Sequence, residues 1–380
     1  MRIRKKVKMT ALFNKILEFI RRIFFRDYYK KTPRKKRKPV EAVVSLKFAK
    51  YTNNPVISPN EENHWEAWQT FNPGVVQLDD DRIHFVYRAI GRDGLSRLGY
   101  ANSSDGYEIQ ERHPEPIFSH NTIVSKYTVF SMESGGSWGG CEDPRLVRVE
   151  GEDVIYMTYT ACDAGLRMAL TSIKVQDFLD KVWNWTPPKL VSPPGEVHKN
   201  WVIFPEKING KYAVLHSINP EISIEYLDNL EFKDSKYIIS LYGGAKAPKD
   251  RWDNWIRGAG PPPIKTKEGW LLFYHAMDMR DPGRYKVGAL LLDLKDPTKV
   301  LHRAKSPVLE PDQCYENSGF KPGVVYAVGS AVVGGTLFLY YGASDSYICV
   351  AHTNLNEFLK ELLKDKGKKL TLEPVEKDVV

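Results

Sequence analysis

The sequence predicts an all-β fold, a five-bladed β-propeller with a basic helical extension at its N-terminus and a helix near its C-terminus. Three observations point there. From residue 70 onward, short runs rich in Val, Ile, Tyr, Phe and Leu alternate with turns of Asp, Asn and Gly, the pattern of strands joined by hairpins. Five segments repeat one layout. The prolines Pro73, Pro144, Pro205 and Pro262 lie 71, 61 and 57 residues apart, too far for one solenoid unit and suited to a propeller blade with loop insertions.

The first segment is NPGVVQLDDDRIHFVYRAI followed by LSRLGYANSSDG, and the second is EDPRLVRVEGEDVIYMTYTA followed by GLRMALTSI. FPEKINGKYAVLHSI with ISIEYLDNL is the third, and GPPPIKTKEGWLLFYHAM with YKVGALLLDL the fourth. GSAVVGGTLFLYYGAS with YICVAHTNL completes the set. Each opens on small residues or proline, enters a strand, turns on polar residues, continues in a strand ending in aromatics, and closes with a third strand. A two-sheet sandwich is the structural alternative, but it would not require the motif five times. Outside the repeats, LNEFLKELLKDKGKK over 355–369 has apolar residues at helical spacing and lysines suited to a helix C-terminus.

The net charge of +8 suggests a nucleic-acid partner until it is divided by position. Residues 1–40 hold 16 lysines and arginines against two acids, Glu18 and Asp27, and the remaining 340 residues hold 39 against 45. The basic character therefore belongs to an extension and linker, 1–40, ahead of a mildly acidic propeller body, 41–380. Within the extension Leu12, Ile16, Phe19, Ile20, Ile23 and Phe24 recur at helical spacing opposite basic residues. Weak docking on an anionic surface and a merely solvated extension are both open readings. Charges interrupt the apolar run, which reads as too broken for a secretory leader and too short for a membrane span. Four dispersed cysteines, Cys141, Cys162, Cys314 and Cys349, give neither a disulfide framework nor a zinc pattern. No metal or cofactor is expected, and the expected compartment is the cytoplasm.

Innermost strands of a propeller line its axial channel, so residues opening each repeat should converge. CEDPR places Glu142, Asp143 and Arg145 at one such opening, where a carboxylate beside a cation suits general acid or base work and equally suits a structural ion pair. The other repeats add Asn72, Arg88, Lys199, Glu206, His216, Arg257, Tyr274, His275, Arg284, Tyr285 and Asp345. Aromatic faces among hydrogen-bonding carboxylates suit a sugar ring. Trp252 and Trp255 either stack on sugar or close a repeat.

FNPG, YRA, EDPR, KNWVIFPEKINGKYAVLH, GAGPPPIKTKEGWLLFYH, RYKVGALLLDLKDP and YYGASDSYICVA, in this order, together resemble glycoside hydrolase family 130 over roughly residues 65 to 360. The resemblance implies a five-bladed propeller that cleaves β-mannosides with inversion, by phosphorolysis or in some members by hydrolysis. It places the catalytic acid on Asp143, which would donate its proton through a sugar hydroxyl, and a sugar contact on Asp345. Asn72, Arg88, Glu142, Arg145, Glu206 and Tyr274 are the further expected substrate-binding residues. Lys199, His275 and Tyr285 match the family's phosphate ligands in type, whereas Ser217 and Ile256 stand where its phosphorylases carry an Arg and a Lys. Arg257 could replace one lost cation if it leaves regular strand geometry, because strand neighbours point to opposite faces. The implied partners are a β-mannoside disaccharide or oligosaccharide and inorganic phosphate. Phosphorolysis, hydrolysis by water and a non-catalytic glycan-binding propeller remain three readings, and homo-oligomerisation is open.

Overall fold

A computed structural model of the chain describes residues 46–120, 136–162, 165–233, 236–240 and 251–364. The predicted N-terminal helix and the boundary at residue 40 lie outside these residues. The described chain is mostly β. It opens with β1 (Ala49–Lys50), followed by a first unit of β2 (Gln69–Gln77), β3 (Ile83–Ile90) and β4 (Leu95–Ser103), edged by β5 (Glu111–Arg112). The second unit is β6 (Gly139–Arg148), β7 (Val154–Cys162) and β8 (Leu166–Lys174), edged by β9 (Lys189–Leu190). The third is β10 (Val202–Ile203), β11 (Tyr212–Ser217) and β12 (Ser223–Leu227). The fourth contains β13 (Trp255–Ala259), β14 (Ile264–Lys265), β15 (Trp270–Asp278), β16 (Asp281–Leu292) and β17 (Val300–Arg303). The fifth is β18 (Val325–Val333), β19 (Thr336–Ala343) and β20 (Tyr347–Asn354), and β1 pairs antiparallel on β20.

Each unit is an antiparallel meander, which short connections permit. Units one and two join through a two-residue parallel pairing, Leu95 with Gly139 and Ser96 with Gly140. First strands lie close: β2 packs beside β6 and β18. A Cβ on Gly74 would fall 2.3 Å from the Pro144 carbonyl oxygen, so this approach requires glycine. Because the units cover one another's faces, β3 is buried along its whole length and reads as a near-continuous apolar run.

One irregularity recurs and positions the site. The register of the first strand shifts between Phe71 and Gly74 in β2, Glu142 and Arg145 in β6, Ile256 and Gly258 in β13, and Ala327 and Gly329 in β18. Such bulges re-aim side chains. Asn72 and Asp143 occupy two of them with φ of 49° and 50°, a left-handed conformation that Asn and Asp tolerate best among residues with a Cβ. In the third unit Asn200, φ 68°, stands just ahead of β10. This corrects the proline register. Pro73 and Pro144 each follow a left-handed residue, whereas Pro205 lies past β10 and Pro262 past β13, so the four prolines do not mark one equivalent place.

Two α-helices pack on the outside among the described residues: α1 (Val175–Leu179) and α2 (Leu355–Lys364). The second agrees with the C-terminal expectation as far as Lys364 and buries Phe358, Leu359 and Leu362 in the core beneath unit five. Residues 365–369 of that expectation lie outside the described set. No helix among the described residues is long and apolar enough to cross a membrane.

Candidate active site

The bulge in β6 turns two consecutive acids into one buried cluster with residues from units one and three. Glu142 is fully buried and accepts hydrogen bonds from Arg88 Nη2 at 3.1 Å, Lys199 Nζ at 2.8 Å and Cys162 Sγ at 3.4 Å. Asp143 Oδ1 accepts from Asn72 Nδ2 at 2.7 Å and from Arg88 Nη1 at 3.4 Å. Arg88, on β3, is itself aimed by Ser96 Oγ at 3.0 Å, by Ser137 Oγ at 3.3 Å and by the Phe71 ring 4.7 Å from its guanidinium. Buried charges survive only when paired in this manner.

The pairing sets the protonation states. Burial pushes the Asp143 carboxyl up, but Arg88, Lys199, Arg145 and the Asn72 hydrogen bond together outweigh it and hold the group below its ordinary range. Asp345 has the opposite outcome. It sits at φ 50° in the turn between β19 and β20, and burial raises its carboxyl despite Lys321 and Arg88, with Asp143 adding to the rise. Burial lowers the Lys199 ammonium, yet Glu142 and Asp143 more than reverse this and stabilise its charge. Two neighbouring carboxyls pushed in opposite directions are the pattern of an acid–base site.

A second group of residues lies at units three and four. Lys199, Asn200, His216, Ser217, Ile256 and Arg257 line a shared cleft. Arg257 is the residue inside the β13 bulge, with its guanidinium 4.9 Å from the Trp255 ring, while Ile256 packs into the core of units three and four. Ser217 Oγ donates to the Asn219 carbonyl at 3.0 Å. His275 bonds the Ala327 carbonyl oxygen through Nε2 at 2.7 Å and stacks on Tyr326 at 3.7 Å. Burial first, then Arg145, lowers its pKa to about 3, so the ring is neutral at ordinary pH and can offer at most one N–H. Tyr285 meets Tyr326 edge-on at 5.7 Å, and Lys321 Nζ lies 5.2 Å from the Tyr285 ring.

Asn200 joins the two groups, and no motif singled it out. Its Oδ1 accepts from Arg145 Nη2 and Tyr326 OH, each at 2.7 Å, and its Nδ2 donates to the Arg257 carbonyl at 2.9 Å. The signal was present, since Asn200 has the residue type of Asn72 and Asp143 at the head of a first strand, but a tryptophan rather than a proline follows it. Arg145 serves the same frame, donating to the Gly260 carbonyl at 3.1 Å and to the Asp143 carbonyl at 3.3 Å.

Three expected residues are not brought to the cluster. Tyr274 precedes His275 on β15, so strand alternation turns it the other way; its hydroxyl bonds Asp253 at 2.5 Å and accepts from Arg303 at 3.2 Å, under the ring of Trp252. Trp252 thus packs inside unit four. Glu206 pairs with the half-exposed Lys265 beyond the end of β10. Arg284 bonds the Pro311 carbonyl at 2.6 Å and forms part of the support for the 311–323 loop.

Buried carboxylates on an all-β scaffold, aimed by strained bulges and neutralised by fixed cations, are the equipment of an enzyme that cleaves glycosidic bonds. A family model described as beta-1,4-mannooligosaccharide phosphorylase matches residues 31–364. A 1,2-beta-oligomannan phosphorylase of Thermoanaerobacter sp. (strain X514) is 37% identical over 318 residues, 80% of this chain and 97% of the relative. A beta-1,2-mannobiose phosphorylase of the same strain is 33% identical, over 80% of this chain and 97% of the relative. The solved structure of the beta-1,2-mannobiose phosphorylase from Listeria innocua, in complex with beta-1,2-mannobiose, superposes with a TM-score of 0.63 at 25% identity, covering 83% of this chain and 99% of that one. The chain belongs to glycoside hydrolase family 130, the mannoside phosphorylase family, and is an enzyme acting on β-mannosidic linkages.

Proposed function

We propose that this enzyme phosphorolyses β-1,2-linked mannosides with inversion and that the five units are the blades of a propeller around the cluster. Asp143 is the acid. Its proton reaches the leaving oxygen through a hydroxyl of the mannose being cleaved, as the glycosidic C–O bond breaks and a phosphate oxygen attacks the anomeric carbon from the opposite face. The products are mannose 1-phosphate and the shortened saccharide. The observation that carries this reading is the Asp143 carboxylate itself, fixed in a left-handed bulge between Asn72 and Arg88, since a group held this rigidly matches the demand that reacting atoms be pre-positioned.

Phosphate is held by Lys199, Arg257 and Tyr285 in this reading, and by His275 once the dianion's charge draws a proton onto Nδ1, since Nε2 is committed to the Ala327 carbonyl; Asn72, Arg88, Glu142 and Asp345 orient the sugar. A dianion beside Lys199 offsets the positive charge that keeps Asp143 ionised, so the proton is loaded onto Asp143 when both substrates are present. The β-1,2 linkage is supported by the names of the relatives at 37% and 33% identity. A cytoplasmic location is supported by the four unpaired cysteines. One observation favours a second reading: Ser217 and Ile256 bring no charge to the cleft, and water would need fewer cations than phosphate. Incubation with β-1,2- and β-1,4-mannobiose, with and without phosphate, tests the proposal. Mannose 1-phosphate formed only with phosphate, and faster from the β-1,2 disaccharide, is the expected result; free mannose at a phosphate-independent rate leaves the hydrolytic reading.

A further inference from the structure

A single exposed apolar side chain is ordinary, and it carries meaning only where its loop is fixed beside a polar cluster. Phe320 is 45% exposed and is tied to the cluster by short links. The Phe320 backbone N–H donates to Ser346 Oγ at 2.8 Å, one residue from Asp345. The preceding Gly319 is wedged on the same turn, where a Cβ would fall 2.4 Å from Ser344 Cβ. On its other side the Phe320 ring lies against Gly136, where a Cβ would come within 2.7 Å of the ring edge. Gly136 begins the short stretch whose next residue, Ser137, bonds Arg88 and whose third is Trp138. Phe320 therefore spans the gap between the Asp345 turn and the Arg88 side of the cluster.

The loop that carries Phe320 is built to hold it still. Glu316 is fully buried and accepts from Lys50 Nζ at 2.6 Å, from the Asp312 and Gln313 backbone N–H groups at 2.8 Å each, and from Tyr341 OH at 2.8 Å. The Lys321 N–H donates to the Ser344 carbonyl at 2.8 Å. Anchors on both sides leave the half-exposed phenyl ring little conformational freedom to lose. A rigid, half-covered apolar face beside hydrogen-bonding groups fits the C–H face of a pyranose.

We propose that Phe320 is the stacking platform for the sugar on the leaving-group side of the cleaved bond. The inference rests on the reading of Asp143, Arg88 and Asp345 as the cleavage centre. It assigns Phe320 a specificity role and no part in proton or phosphate transfer. Two substrates separate these roles: β-1,2-mannobiose has a sugar leaving group, and β-mannosyl fluoride has none.

For Phe320→Ala, kcat/KM on β-1,2-mannobiose should fall about tenfold, while kcat/KM on β-mannosyl fluoride stays within about twofold of wild type. Phe320→Trp should restore most of the mannobiose value. An equal loss on both substrates would overturn the proposal in favour of a structural role for the loop, and so would no loss on either. A wild-type dimer that Phe320→Ala converts to monomer, with mannobiose kinetics preserved, would overturn it by assigning the ring to a second copy of the chain. Wild-type protein inert toward every β-mannoside would instead count against the cleavage centre itself.

Discussion

In the proposed reading the site has a sugar side, in units one and two, that differs sharply from a nucleophile side in units three and four. On the sugar side Glu142, Asp143, Arg88 and Asn72 bond one another, and the whole group is buried. The nucleophile side brings Lys199 and Arg257 together with the neutral His216 imidazole, a serine and an isoleucine. The difference teaches which half is fixed by chemistry and which is adjustable. A group that must hand over a proton along one path needs over-determined geometry, whereas an anion can be held by several arrangements of cations and N–H groups.

The largest effect should come from the fixed half. Asp143→Asn keeps the shape and removes the proton, so turnover on β-1,2-mannobiose should drop by about three orders of magnitude, with circular dichroism unchanged. Glu142→Gln strikes the same half differently, because it strips one carboxylate from both Arg88 and Lys199. Leaving buried charge uncompensated costs about 3–5 kcal/mol, and denaturant titration should report a loss of that order. If both variants behaved as mild KM mutants, the contrast between the halves would collapse.

Changes on the adjustable half should be smaller and can be of either sign. Ser217→Arg places a guanidinium in the cleft beside Lys199 and should lower the KM for phosphate by roughly three- to tenfold, with the KM for mannobiose little changed. The smallest effect concerns pH and stability. The His275 pKa is lowered from 6.5 to about 3 in the fold, so between those values the unfolded chain binds a proton that the folded chain refuses. The associated stability is complete above about pH 6.5 and is lost as pH falls toward 3. His216, lowered to about 4 by burial and then by His198, adds slope in the same window. Melting of wild type and His275→Gln from pH 7 to pH 4 should show a shallower decline for the variant, and parallel curves would contradict a neutral buried His275.

The repeats were legible because β-branched and aromatic runs between Asp, Asn and Gly turns follow from hairpin physics alone. Asp143 and Asn72 were legible for a related reason, since a polar residue before proline at a strand head marks a break in regular pairing. Asn200 was missed because Trp201 hides that signature. Tyr274 was misplaced although alternation could have separated it from His275, and Glu206 was misplaced because Pro205 was aligned with Pro144 when the left-handed position lies earlier, at Asn200. Phe320 could not be read at all. Its place depends on a loop anchored by Glu316, Lys50 and Ser346 from distant parts of the chain, and no local pattern encodes that meeting.

The central claim is that phosphate is the nucleophile, held in part by Lys199. The most direct measurement is the rate of β-1,2-mannobiose consumption by wild type and Lys199→Ala across a phosphate titration, with the products identified. A saturable dependence yielding mannose 1-phosphate, with the apparent KM for phosphate raised about tenfold or more in Lys199→Ala, is the predicted result. A flat wild-type curve with free mannose as product would contradict it.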